Sequence, residues 1–116
     1  HVEVARLLIE AGAAIDKTAD GRATPLFVAS VGGHVEVVRL LIEAGAAIDK
    51  AADGGVTPLY TVSEQGRVEV VKTLLDGGAD ATLAAENGMT PLEAAKRMNH
   101  REIVSLLKAA IAAAQP

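Results

Sequence analysis

Residues 24–56 read TPLFVASVGGHVEVVRLLIEAGAAIDKAADGGV, and the pattern returns along the chain in register. Thr-Pro-Leu stands at Thr24-Pro25-Leu26, at Thr57-Pro58-Leu59 and at Thr90-Pro91-Leu92, 33 residues apart each time. The histidines keep the same interval: His1, His34 and His100, with Arg67 in the place between. Residues 1–18 and 34–51 differ only at Ala5/Val38 and Thr18/Ala51. A fixed period of this length marks stacked structural units.

Each period predicts two short helices and a turn. Thr before Pro starts the first helix: the hydroxyl accepts from an orphan N–H, and Pro at the first position sacrifices no hydrogen bond. Glu93, three residues after Thr90, adds a capping box. The first helix stops near Gly33, Gly66 and Asn99, residues that tolerate left-handed backbone. The second carries Val35, Val38, Leu41 and Ile42 at helical spacing and ends at Gly45, as its counterparts end at Gly12 and Gly78. Loops such as Ala46–Val56 join the units, with Asp53-Gly54 as a tight-turn signal. One helix pair cannot bury its own apolar side, so neighbours must stack into a solenoid with a continuous core.

Composition fits this reading. Half of the 116 residues are apolar, yet Phe27 and Tyr60 are the only aromatics. The core is therefore built from Leu, Val, Ile and Ala, which favours closely spaced helices. A net charge of −4 argues against a general nucleic-acid binder. That charge is uneven: from Lys96 on, Lys96, Arg97, Arg101 and Lys108 against Glu102 give +3, leaving −7 elsewhere. We read the basic end as a solvated terminal helix, with contact to something acidic as the alternative. Zero cysteines excludes disulfides and thiolate chemistry and suits an intracellular location. Apolar stretches fall far short of the roughly 20 residues of a membrane helix.

The sequence resembles the ankyrin repeat family over residues 1 to about 108. Its period, TPL, Gly33-His34, Val37-Val38-Arg39-Leu40-Leu41 and Gly45-Ala46 all occur in register. The resemblance implies an all-α ankyrin-repeat solenoid of stacked antiparallel helix pairs, with β-hairpin-like loops projecting sideways. Within a single domain, 1–116, we expect a half unit at 1–18, units at 19–51 and 52–84, and a C-terminal capping unit at 85–116. His1 opens mid-unit, leaving Val2, Val4, Leu7, Leu8 and Ile9 without a preceding helix; upstream repeats are expected, with self-association through that uncapped side as the alternative.

The chain departs from the family in three places. The residue after TPL, usually His, is Phe27, Tyr60 or Glu93, which removes the family's ring-mediated ties between loops; Phe27 and Tyr60 are expected to pack as apolar replacements, with partly exposed anchors for a partner as the alternative. Arg22 stands where Gly55 and Gly88 stand, so Gly21 is expected to take the left-handed role and shift the turn. Lys108 replaces Ile42 and Leu75, and Ile111 stands where Gly45 would end the helix, so the last helix should run to about Ala114.

No catalytic, cofactor-binding or metal-binding residue is predicted. The histidines, one unit apart, read as repeat-defining structural residues. Asp16-Lys17-Thr18-Ala19-Asp20-Gly21 resembles the start of a calcium loop, but Phe27 fills the twelfth position, which needs Glu. Ser30, Ser63 and Ser105 have no base and orienting acid. No P-loop, dinucleotide fingerprint or nucleophile elbow is present, and no enzyme is predicted.

By analogy with the family, a protein partner is expected at the loop tips and the concave side of the first helices. On matching positions this selects Asp20, Ala23, Val31, Asp53, Val56, Tyr60, Glu64, Gln65, Glu86, Met89, Arg97 and Met98. Asp20, Asp53 and Glu86 form an acidic row suited to a basic partner; Met89, Met98, Val56 and Tyr60 supply apolar surface. The expected function is that of a protein–protein interaction module, one part of a scaffold or adaptor. The alternative is a structural spacer or a duplicated or engineered fragment with no partner of its own, which the near-identical 1–18 and 34–51 favour.

Overall fold

A computed structural model describes Thr18 and residues 20–115. The expectations for His1, Val2, Val4, Leu7, Leu8, Ile9, Gly12, Asp16, Lys17 and Ala19 fall outside the described residues. Six α-helices follow: α1 Pro25–Val31, α2 Val35–Glu43, α3 Pro58–Gln65, α4 Val68–Asp76, α5 Pro91–Arg97 and α6 Arg101–Ala114. One-turn 3₁₀ segments at Asp20–Arg22 and Asp53–Gly55 precede α1 and α3. The described residues contain no strand.

The first helices start where Thr-Pro placed them. Thr24 and Thr57 side chains accept from the Phe27 and Tyr60 N–H groups, each at 3.1 Å. Thr90 adds the expected capping box: its Oγ1 accepts from Glu93 N–H at 3.2 Å, while Glu93 Oε1 accepts from Thr90 N–H at 3.1 Å. After the first helices the chain turns through left-handed backbone at Gly33, Gly66 and Asn99, so the reversal into each second helix is built the same way three times. No such glycine interrupts α6, and it continues through Ala109–Ala114.

The helices form two layers. The first helices α1, α3 and α5 pack side by side, as do the second helices α2, α4 and α6, with each pair also packed internally. One apolar core runs through all of them, from Leu26 and Val38 through Leu59, Val71 and Leu74 to Ile103 and Leu107. These residues lie at 3–4-residue spacing on their helices, so each pair contributes one stripe to its neighbours. This is a solenoid of stacked antiparallel helix pairs.

Ser30 and Ser63 occupy equivalent positions in α1 and α3, both fully buried. Neither hydroxyl has a hydrogen-bond partner. A buried unsatisfied hydroxyl costs stability that a methyl group does not. Ser63→Ala is therefore expected to raise unfolding stability by about 1 kcal/mol, and Ser30→Ala similarly. Urea denaturation would read this as a higher midpoint at unchanged slope; a lower midpoint would show that the hydroxyl holds something in place.

Candidate functional site

Two ridges border the outward side of the first-helix layer: the loop tips before each first helix and the turns after it. The tips are tied by hydrogen bonds from one unit to the next. Within the second loop Ala52 N–H donates to Val56 O, and within the third Ala85 N–H donates to Met89 O, both at 2.9 Å. Glu86 N–H then donates to Gly54 O at 2.9 Å, joining the two hairpin-like loops. At their base Asp49 accepts from Asp80 N–H at 3.0 Å. Backbone groups and carboxylates thus supply the ties that the missing ring would otherwise provide.

The turn at Arg22 corrects one expectation. Gly21 is left-handed (φ 71°), but Arg22 is too (φ 57°), so the turn is not shifted; it matches Gly54 and Gly55. Strain at a non-glycine residue persists where something holds it, and Arg22 Nε donates to Asp53 Oδ1 at 2.9 Å across adjacent tips. That hydrogen bond, and then the charge of Asp53, push the Arg22 guanidinium above its ordinary pKa. The acidic row consequently has a cation of its own beside Asp53, which reduces its pull on a basic partner. Asp80 lies below the usual aspartate range because Thr82 donates to its carboxylate, first from the hydroxyl and then from the backbone N–H.

The predicted surface residues divide into two groups. Val56, Tyr60 and Met89 gather with Ala85 and Ala94 into a small second core beneath the tips. Tyr60 is only 5% exposed, so of its two expected roles it takes the packing one and leaves the predicted binding surface; Ala85 and Ala94 of the following unit cover its ring. Val56 and Met89 are half-buried beside it, and Arg97 Nη1 reaches Met89 Sδ at 3.8 Å. Asp53, Glu64, Gln65, Glu86, Arg97 and Met98 are exposed, and Ala23 and Val31 half-buried. Asp20 lies in the first 3₁₀ turn.

Sequence reasoning missed Val28, which is 56% exposed on α1, more than Met98 at 51%. One and two periods on, the place holds half-buried Thr61 and buried Ala94, which packs on Tyr60 of the preceding unit, so Val28 lies on the side of α1 that faces a preceding unit.

The histidine lattice is structural where it is described. His100 Nε2 lies 2.9 Å from Glu64 O, so its ring bridges back to the end of α3. Arg67, in the vacant place, lays its guanidinium over Gly33 in the same manner. Among the described residues no group of three or more His, Asp or Glu side chains is placed to hold a metal ion. None of the described helices is long and apolar enough to cross a membrane.

A family model described as ankyrin repeats (3 copies) matches residues 1–52 and again 48–115. The chain belongs to the ankyrin repeat family. Ankyrin repeats are in general protein-interaction modules and typically carry no catalysis. No curated protein matches this ankyrin-repeat chain.

Proposed function

We propose that the chain binds another protein through its loop tips and the exposed side of α1, α3 and α5. The observation that carries this is the placement of exposed apolar groups. Met98, 51% exposed, closes α5 on the first-helix layer, and half-buried Val31 ends α1 on the same layer. Glu64, Gln65 and Arg97 are exposed on the same layer. Apolar anchors with polar groups around them are the usual makeup of an interface. The surface is open, which suits a protein segment better than a small molecule that needs an enclosing pocket. In this reading the chain is a segment of a scaffold or adaptor, with no catalytic role.

The combined variant Glu64→Ala, Gln65→Ala, Met98→Ala tests it against a partner identified by proximity labelling. Its affinity by calorimetry should fall at least about tenfold, in line with the loss of two or three contact residues, while the thermal midpoint moves by only a few degrees. Unchanged affinity for every partner would overturn the proposal in favour of a structural spacer.

A further inference from the structure

We propose that the end face of the stack, beyond α5 and α6, is a second docking surface, specific for an acidic segment of another protein. Comparison of equivalent positions, one period apart, exposes it. Ser30 and Ser63 are fully buried. Val35 and Val68, and likewise Ile42 and Leu75, pack against the shared core. The following pair helps to cover them: a Cβ built at Gly77 would lie 3.0 Å from Ile42 Cγ2. One period after Ser63, Val68 and Leu75 stand Lys96, Arg101 and Lys108, and all three are exposed.

A terminal unit needs a hydrated outer face, and any polar residue would provide that. Here all three replacements are cations. No ion pair among the described residues uses Lys96, Arg101 or Lys108; Glu102 turns instead toward Lys72 at 3.7 Å. Glu93 stands where Tyr60 is buried, but its carboxylate is engaged in the capping box with Thr90. The field at this face is therefore positive although the chain as a whole is negative. Within a Debye length of about 8 Å, the near charges dominate what a ligand meets.

The chemistry of the face selects the occupant. A single nucleic-acid strand would call for aromatic stacking groups as well as cations, and the chain's two aromatics, Phe27 and Tyr60, belong to α1 and α3; a duplex would call for more phosphate contacts than three cations make. A membrane surface would call for bulky apolar groups to insert, and the exposed apolar side chains near Lys108 on α6 are Ala109, Ala112 and Ala113. An acidic peptide needs neither. Arg101 and Lys108, seven residues apart on one helix, are separated by roughly 10 Å, about three residues of a polyproline II chain, whose three-residue turn puts every third side chain on one face. Carboxylates three positions apart match them.

The test uses a fluorescein-labelled 12-residue peptide with Glu at every third position, followed by anisotropy. At low salt it should bind the chain, and raising NaCl tenfold should weaken binding at least about fivefold through screening. The variant K96E/R101E/K108E should bind at least about tenfold more weakly, whereas E64A/Q65A/M98A should bind as well as the parent, which separates this face from the first-helix surface. If charge reversal disturbs the circular dichroism, K96Q/R101Q/K108Q takes its place and must show the same loss. Absence of peptide binding at low salt would overturn the proposal. So would binding that survives the substitutions, or tighter binding of the parent to mixed-sequence DNA or phosphatidylserine vesicles than to the peptide.

Discussion

Leu59→Ala is expected to destabilise the fold by about 3 kcal/mol, lowering the thermal midpoint by at least roughly 12 °C. Leu59 is 1% exposed, and α3 packs against α1 on one side and α5 on the other. The cavity would open between three helices that cannot collapse independently, which puts the cost within the usual range for a buried leucine. Leu92 holds the same place one period later but is only half-buried, at the end of the stack. Its replacement by alanine should cost less than half as much. Thermal unfolding of both variants checks the order; equal losses would contradict the view that neighbouring pairs supply the burial.

Gly66→Ala should cost about 2 kcal/mol, against about 1 for Gly54→Ala. Both glycines are left-handed, with φ near 84° and 85°, so the backbone penalty is shared. They differ in surroundings. A Cβ at Gly66 would lie 2.6 Å from His100 Cε1, whereas one at Gly54 has nothing within 4 Å. The His100 ring must swing away and lose its hydrogen bond to Glu64 O. Adding His100→Ala to Gly66→Ala should then cost little, since the contact is already lost; full additivity in this double-mutant cycle would show that the ring and the glycine are independent.

Much of this architecture was legible in the residues. Thr-Pro, the glycine stops and the apolar stripes are local signals that act through backbone geometry, and they placed helix starts and turns well. The prolonged last helix also followed locally, from Ile111 in the place of Gly45. What the sequence did not yield depends on the next unit. Tyr60 was open to reading as core or anchor, and only the arrival of Ala85 and Ala94 over its ring decides it. Arg22 was expected to avoid left-handed backbone because the local cost is plain, but Asp53, 31 residues away, holds it there. Val28 escaped notice because exposure is set by what fails to cover a side chain. The binding residues as a set were drawn from family analogy, and local physics offers no stronger signal for them: an interface is defined by a molecule outside the chain.

Tyr60 also makes the protein its own optical probe. It is the single tyrosine, and there is no tryptophan, so nearly all absorbance around 280 nm and all useful intrinsic emission arise at one seam, where α3 meets Ala85 and Ala94. Near-ultraviolet dichroism should therefore track the parting of that seam, while far-ultraviolet dichroism tracks the helices everywhere. Were the last helical hairpin to detach before the remainder melts, the two signals would diverge on heating without any added dye. The same sparsity makes colour at 280 nm a poor gauge of how much protein is in the tube.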